Sequence, residues 1–385
     1  MERHSAVPFW RDVRVLGALS QVAFLLIVVA CAAFFLTNFS VAMRQRGMVI
    51  GFDYLRHTAG FEIGEGFIPY RPTDTYGRAY LVGLLNTLLV SGIGIVLATL
   101  LGVIIGVARL STNWLVARLA AAYIEIIRNT PLLVQLVFIY FGVFFQLPPV
   151  AQTIELPGPI YANQRGVFLP RPIATAHFWP WLGWAAAGLI VGIGLWKLGG
   201  RPRVRRAGLV RGIAAGVIIA TPVLAWLAAP PLVAQVPVRE RFNFQGGLAL
   251  SPEFSALLSG LVLYTAGFIA EVVRGGILAV RRGQIEAAQA LGLNSTQILR
   301  LVIFPQAMRV IVPPLISQYL NLAKNSSLAV YIGFPDLFAV NQTILNQTGQ
   351  PVPVIALVMA TYLTMSLLTS LIMNVYNRHV QILEK

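Results

Sequence analysis

The polar residues most able to do chemistry lie in one stretch between two strongly apolar segments, from residue 284 to residue 305. A glutamate is followed by two small residues, then by a glycine and, further on, by a proline. These positions are Glu286, Ala287, Ala288, Gly292 and Pro305. The order predicts a short helix, a turn and a second helix. Small alanines would let the surface of another protein come close to the helix, so this stretch is a candidate docking site for a protein partner. The alternative is an ordinary amphipathic hairpin.

Two glutamate–arginine pairs stand where apolar runs end. Glu125 and Arg128 are three residues apart, as are Glu271 and Arg274. Residues at this spacing share one helix face and can form an ion pair. After the first pair, Thr130 and the proline that follows it predict a break in the helix at the membrane surface. The pairs are candidates for a cytoplasmic gate; the alternatives are an interfacial cap for the first and a snorkelling pair for the second.

A third polar group lies inside an apolar run. Lys324 is followed by Asn325, Ser326 and Ser327. A lysine inside a membrane span is costly, so it should face a water-filled cavity or a partner. These side chains are therefore candidates for a substrate path or gate, with a polar clamp between helices as the alternative.

The sequence contains none of the familiar catalytic constellations. There is no phosphate-binding glycine-rich loop ending in Gly-Lys-Ser/Thr, and no nucleophile elbow. The four histidines are scattered, and no metal cluster is expected. We therefore predict no catalytic residue, no metal and no cofactor in this chain. A single cysteine, Cys31, cannot form an internal disulfide.

Composition indicates a protein that crosses the membrane several times. Of 385 residues, 57% are hydrophobic and 11% are charged, about half the charged fraction of an ordinary soluble protein. The net charge of +15 could suggest nucleic acid. However, the basic residues cluster beside the apolar runs, as the positive-inside rule predicts, and a minority of them would contact anionic lipid.

Hydropathy and charge together predict an all-α polytopic membrane protein with about eight transmembrane helices and both termini in the cytoplasm. The predicted spans are Leu16–Leu36, Tyr80–Ala108, the part of Trp114–Phe145 after Pro131, Gly183–Leu198, Gly212–Ala229, Phe254–Val273, Val310–Ile332 and Val354–Val375. The predicted outer loops are Thr37–Arg78, with a surface helix at its start, Pro148–Pro180, Pro230–Pro252 and Phe334–Gln350. We divide the chain into residues 1–79, 80–150, 151–250 and 251–385.

The motifs resemble those of one family, the permease subunits of polar amino-acid ABC importers. The stretch from 284 to 305 is similar to the family's coupling-helix motif, with Val302 and Phe304 at its usual Ile and Leu positions. The other matching motifs are Asn86-Thr87, the run from Glu125 to Gln135, Tyr264 with Ala270-Glu271 and Arg274-Gly275-Gly276, Pro305-Gln306-Ala307, Pro313-Pro314 and Lys324-Asn325-Ser326-Ser327-Leu328. The extra spans and the long first outer loop look like the larger subunits of general L-amino-acid and glutamate/glutamine/aspartate/asparagine importers.

The resemblance implies a type I ABC importer permease fold with added spans, in a bacterial inner membrane. It implies a second permease subunit in a heterodimer, two ATPase subunits that hold ATP and Mg²⁺, and a periplasmic amino-acid-binding protein. It makes the stretch from 284 to 305 the site of coupling to the ATPase, and it adds Asn86 and Thr87 to the candidate substrate path.

Two rival classes remain open from the residues alone. An ATP-independent amino-acid transporter would show inverted repeats and charged residues at mid-span, but no clear repeat is visible. A membrane-bound enzyme would need a catalytic constellation, which the sequence lacks.

Overall fold

The computed structural model describes residues 13–45, 51–200, 207–240 and 243–380. The helices are α1 (Val13–Gln45), α2 (Tyr76–Ala108), α3 (Trp114–Asn129), α4 (Leu132–Ile139), α5 (Phe178–Gly199), α6 (Ala207–Ala228), α7 (Pro252–Leu278), α8 (Arg282–Ala290), α9 (Ser295–Ile298), α10 (Phe304–Asn325), α11 (Leu337–Thr348) and α12 (Pro351–Val380). Short π-helical turns follow α4 (Tyr140–Phe144) and α9 (Leu299–Ile303), and 3₁₀ turns occur at Asp53–Arg56, Val150–Gln152 and Ser326–Ile332.

The predicted spans are confirmed in number. Seven described helices are long and apolar enough to cross a membrane, and the bent pair α3–α4 makes an eighth. The helix axis bends by 105° between α3 and α4. The bend lies at Thr130, whose backbone is extended, and at Pro131, which has no N–H to continue a helix. The predicted break is therefore confirmed.

Helix boundaries differ from the prediction at two places. The first helix continues to Gln45, where the sequence suggested a separate surface helix after Leu36. The seventh span begins well before Val310, because helical turns run without a gap from Ser295 to Ile332.

The predicted outer loop from residue 334 to residue 350 was wrong, because most of it is the helix α11. The Asp336 carboxylate accepts a hydrogen bond from the amide of Ala339 and begins the helix. Gly349, at φ +61°, ends it. Both signals were present in the sequence.

The segments before α5 and after α6, which were predicted to be outer loops, contain small antiparallel sheets. The strands are β1 (Ile154–Leu156), β2 (Ile160–Asn163), β3 (Gly166–Leu169), β4 (Arg171–Ala174), β5 (Leu232–Gln235), β6 (Val238–Arg239), β7 (Phe244–Gln245) and β8 (Leu248–Leu250). One sheet has the order β1-β2-β3-β8, and β4 pairs with β5, as β6 does with β7. The β4–β5 ladder joins the two ends of the α5–α6 hairpin.

The α5–α6 hairpin is held together by close contact of small residues. An added Cβ at Gly188 would lie 2.6 Å from Thr221 Cβ, and one at Gly192 would lie 2.2 Å from Ile218 Cγ1. Small residues on both helices therefore allow this close approach. Gly208, Gly212 and Gly216 take no part in it, since no atom lies within 4 Å of the Cβ position at any of them.

Two compact units are present. The first comprises residues up to 86 together with 335–369. Its described core contains Tyr54, Ala59, Tyr76, Ala79, Val340, Ile344 and Val354. The Tyr80 hydroxyl lies 2.6 Å from the Thr361 hydroxyl, and an added Cβ at Gly83 would lie 3.0 Å from the carbonyl of Asp336. These contacts fasten α2, α11 and α12 within this unit.

The second unit comprises residues 87–334 and the end of the chain from 370. Its core surrounds α7 and includes Val90, Leu136, Phe254, Leu257, Leu261, Ile269, Val273, Ile311, Leu315 and Leu322. Gly102 and Gly106 bring α2 close to α7, because their Cβ positions lie 2.6 Å from Ile269 Cβ and 2.7 Å from the Ala270 carbonyl. The four-part division made from the sequence stays a prediction.

Several basic residues that supported the predicted topology lie outside the described residues. They are Arg3, Arg11, Arg201, Arg203, Arg205, Arg206 and Lys385.

Candidate functional site

The stretch from 284 to 305 folds as its sequence predicts, into a helix, a turn and a second helix. At the end of α8, Gly292 adopts φ +79°. Its amide donates to the carbonyl of Gln289, and the amide of Leu293 donates to that of Ala288. This pair of bonds and the left-handed glycine form a Schellman cap. The turn is therefore fixed by the backbone.

The second half of the stretch is capped as firmly. The Asn294 side chain accepts from the amide of Gln297, and the Gln297 side chain accepts from the amide of Asn294, both at 2.9 Å. This reciprocal cap begins α9. The π turn follows directly and leads into α10, which has Pro305 in its first turn. From α9 onward the chain is thus one continuous helical rod.

The exposed surface of α8 suits a protein partner. Glu286 and Ala287 are exposed, and Leu291 exposes 81% of its surface. Ala288 points the other way and is buried. Only one of the two alanines therefore leaves room for a partner, and the other packs within the chain.

Of the two predicted ion pairs, one is formed. Arg274 Nε lies 3.1 Å from Glu271 Oε2, and the two side chains are about one-third exposed. The prediction of a Glu125–Arg128 ion pair was wrong. Arg128 instead reaches α7, with its guanidinium 5.3 Å from the centre of the Phe268 ring, while Glu125 is exposed. The Arg128 guanidinium therefore lies over the Phe268 ring and does not pair with the Glu125 carboxylate, although their spacing in α3 would permit a pair.

The two groups of residues come together at one end of α3 and α7. Arg128 and Arg109 both lie near enough to Glu271 to act on its charge, in addition to Arg274. These longer-range attractions are electrostatic, and the direct ion pair of Glu271 is with Arg274.

Gln135 was part of the matched motif, but its function could not be read from the sequence. Its buried side-chain amide donates to the carbonyls of Ile127 and Thr130, both at 2.9 Å. The break at Pro131 leaves the last carbonyls of α3 without helical partners. Gln135 therefore closes the bend. The Thr130 hydroxyl donates to the Ile126 carbonyl, also locally.

The polar group at the end of α10 is partly open. Lys324 is exposed and has no carboxylate within 4 Å among the described residues. The Ser326 and Ser327 hydroxyls donate to the carbonyls of Ala323 and Lys324 in their own helix. Asn325 is half-buried. Because both hydroxyls bond locally, the structure gives no support to a clamp between helices.

Asn86 and Thr87 are fully buried. The Asn86 amide donates to the carbonyls of Glu65 and Pro335, at 3.0 and 2.8 Å. These bonds give Asn86 a structural role within its own unit. Its assignment to a substrate path stays a prediction.

An apolar cavity of about 500 Å³ lies among α2, α7 and α10 in the second unit. Its wall includes the hydroxyls of Thr99 and Tyr319, which lie 3.0 Å apart and bond to each other. An amino acid carries two opposite charges, so this wall is unsuited to bind one. Within the described ranges, no three His, Cys, Asp or Glu side chains are placed to hold a metal ion.

Comparisons with known proteins agree with these motifs. The family model of the binding-protein-dependent transport system inner membrane component matches residues 214–382. The chain is 44% identical over 371 residues to the putative amino-acid ABC transporter permease protein YhdX of Escherichia coli, covering 95% of this chain and 94% of YhdX. It is 42% identical to the general L-amino acid transport system permease protein AapQ of Rhizobium johnstonii, covering 95% and 92%.

A third relative is the glutamate/glutamine/aspartate/asparagine transport system permease protein BztB of Rhodobacter capsulatus. It is 38% identical, with 97% of this chain and 96% of BztB covered. These relatives do not favour the ATP-independent transporter. The chain belongs to the permease family of amino-acid ABC transporters and is a transmembrane permease subunit of an ATP-driven amino-acid importer.

Proposed function

We propose that the chain works in a complex with a second, different permease subunit, two ATPase subunits and a periplasmic amino-acid-binding protein. ATP and Mg²⁺ bind to the ATPase subunits. The observation that supports this best is the rigid turn at Gly292, next to which lie an exposed leucine at the C-cap of α8 and an exposed glutamate on α8. A surface of this kind in an otherwise polar loop fits a protein partner.

In this proposal α8 is the coupling helix and lies in a groove of the ATPase. Glu286, Ala287 and Leu291 contact the ATPase, while Ala288 and the Gly292 turn hold α8 in position. ATP binds the closed ATPase dimer more tightly than the open one, so it shifts the equilibrium toward closure. Closure moves α8.

Movement of α8 would reach the membrane through contacts within the second unit. Leu293 and Asn294 connect the capped turn to the continuous rod of α9, the π turn and α10. Next, α10 packs tightly on α7, where an added Cβ at Gly276 would lie 2.2 Å from Ile311 Cγ1. A rigid rod in close contact with α7 would tilt both spans together.

The residues near the ends of the spans take the remaining roles. Glu125, Arg128, Thr130, Glu271 and Arg274 form the cytoplasmic gate or its support. Asn86, Thr87, Lys324, Asn325, Ser326 and Ser327 belong to the substrate path or its outer gate. The relatives' names support L-amino acids, polar or broad in range, as substrates.

The proposed location is the bacterial inner membrane, with both termini in the cytoplasm. The basic residues beside the spans support this orientation. They include Arg109 after α2, Lys197 at the end of α5, and Arg281 and Arg282 at the start of α8.

Cross-linking tests the proposed docking. We expect Leu291→Cys, in a Cys31→Ala background, to form a cross-link to a co-expressed ATPase subunit that carries a phosphate-binding loop. Val238→Cys, at an exposed position on β6, serves as the control and should not react with the ATPase. Mass spectrometry of the purified complex identifies the partners. An absence of any ATPase from the purified complex would contradict the proposal.

A further inference from the structure

One face of α10 carries polar groups that a lipid-facing helix does not tolerate. Between Gln306 and Asn325 its exposed residues are Val310, Pro313, Pro314, Ser317, Asn321 and Lys324. By contrast, the exposed residues of α12 up to Val375 are mostly apolar, with Thr364 and Asn374 as the polar exceptions. The large ones include Ile355, Met359, Leu363, Leu367 and Leu371. The composition of α12 suits lipid, and that of α10 does not.

The polar groups of α10 lie on the side opposite its packing face. Arg309 and Lys324 are 15 residues apart, which is four helical turns plus about 60°, or about 22 Å along the axis. Ser317 lies between them at nearly the same angle as Lys324. The buried residues Ala307, Ile311 and Leu315 lie on the other side and face the core around α7. We call Gln306, Arg309, Ser317, Asn321 and Lys324 the polar face of α10.

Neither cation on this face is neutralised by the part of the chain that the structure describes. No carboxylate lies within 4 Å of Arg309 or Lys324, and the half-buried Arg309 has a buried Nε without a hydrogen-bond partner. Both carboxylates of α7 have other partners, since Glu271 pairs with Arg274 and Glu253 accepts from the hydroxyl of Tyr140 at 2.7 Å. The face therefore has an unbalanced positive charge.

The backbone of the same helix adds unpaired acceptors. Pro313 and Pro314 have no N–H, so the carbonyls of Arg309 and Val310 cannot receive their usual helical hydrogen bonds. In a membrane such groups need water or a ligand, because lipid offers no donor. A water-filled path beside α10 would satisfy both these carbonyls and the cations.

We infer that the polar face of α10 lines the substrate path and that Arg309 and Lys324 make this path select for the carboxylate groups of its substrates. The inference rests on the proposed function. It names the substrate class as amino acids with an anionic or neutral side chain, with cationic ones disfavoured. Two cations without a counter-ion attract a second carboxylate and repel an added positive charge.

The test is uptake of glutamate and of glutamine by the complete transporter in proteoliposomes, each in the presence of saturating binding protein. Because the binding protein is unchanged, a change in the ratio of the two rates reports on the permease. We expect Arg309→Gln and Lys324→Gln each to lower the glutamate-to-glutamine ratio about tenfold, a difference of about 1.4 kcal/mol. Arg211→Gln and Lys197→Gln, exposed cations of the α5–α6 hairpin, are matched controls that should leave the ratio unchanged. An unchanged ratio in both α10 variants would overturn the inference.

A second measurement does not depend on the charge variants folding. In a Cys31→Ala background, Ser317→Cys should react with a membrane-impermeant, water-soluble thiol reagent in the assembled transporter, and glutamate should slow the reaction. Leu363→Cys on α12 is the lipid-facing control and should not react. If Ser317→Cys reacts only in the isolated chain, the face is an interface with the partner permease, and the inference is overturned. If the unaltered complex transports neither amino acid, the proposed function fails instead.

Discussion

The conformation of the stretch from 284 to 305 depends most directly on Gly292. This glycine adopts φ +79°, and no atom lies within 4 Å of the position that a Cβ would occupy. A substitution therefore meets only backbone strain, of about 1–2 kcal/mol. We expect Gly292→Ala to insert and assemble but to show a lower ATP-driven uptake rate per assembled transporter, because α8 loses its fixed orientation.

Gly349 supplies the matched control for this prediction. It ends α11 at φ +61° and also has open space around its Cβ position. Gly349→Ala should cost similar stability and leave uptake per assembled transporter unchanged. Equal losses of uptake in the two variants would show that general stability, and not the geometry of α8, explains the effect.

Gln135 gives a prediction about stability. Gln135→Leu removes the donor from two carbonyls at the α3–α4 bend, and each buried unsatisfied carbonyl costs about 1–3 kcal/mol. We expect a lower apparent melting temperature in detergent. Gln146→Leu, which removes one exposed bond to Phe141 at 3.2 Å, should change it little. A melting temperature that is equal in the two variants would argue against the closing role of Gln135.

At the residue scale, the sequence predicted what could be read from local rules. The Gly292 turn, the break at Pro131 and the Glu271–Arg274 pair all depend on neighbours a few residues away. The Glu125–Arg128 pair was wrong because its outcome depends on Phe268, about 140 positions further along the chain. Contacts of that kind are not visible in spacing alone.

At the scale of elements, the packing of α2 on α7 is set by glycines. Gly102→Val would place atoms 2.6 Å from Ile269 Cβ and 3.0 Å from the Ala266 carbonyl, so the two helices must separate. We expect lower thermal stability and less assembled complex, measured by melting in detergent and by size-exclusion chromatography. Gly92→Val, also on α2, meets no atom within 4 Å and should be tolerated. Equal behaviour of the two variants would contradict this packing.

The sequence located the spanning helices well and the outer elements poorly. Long apolar runs and flanking arginines are strong signals, and the membrane restricts spanning segments to a few forms. The strands β1 to β8 are two to four residues long and pair across up to about 80 residues, so their sequence carries little periodicity. The helix α11 was missed although its capping aspartate and terminal glycine were both present.

At the scale of the whole molecule, the proposed function makes this chain a transport subunit that partner ATPase subunits drive. It has no phosphate-binding loop. The described structure offers instead a rigid tip at α8, a continuous connection from α9 to α10, and tight packing of α10 on α7. In the proposed function, the energy for transport enters through α8. The family could be predicted from the motifs because they lie at fixed spacing, whereas the polar face of α10 became visible only when burial distinguished the two sides of the helix.

The measurement that tests this account most directly is amino-acid uptake into proteoliposomes that contain the complete transporter, with the binding protein outside and ATP enclosed or omitted. We predict uptake of glutamine only when ATP is enclosed, and a reduced rate for Glu286→Ala when the ATPase subunits are still present in equal amount. Uptake at the same rate without ATP, or an unchanged rate for Glu286→Ala, would contradict the claim that α8 couples ATP hydrolysis to transport.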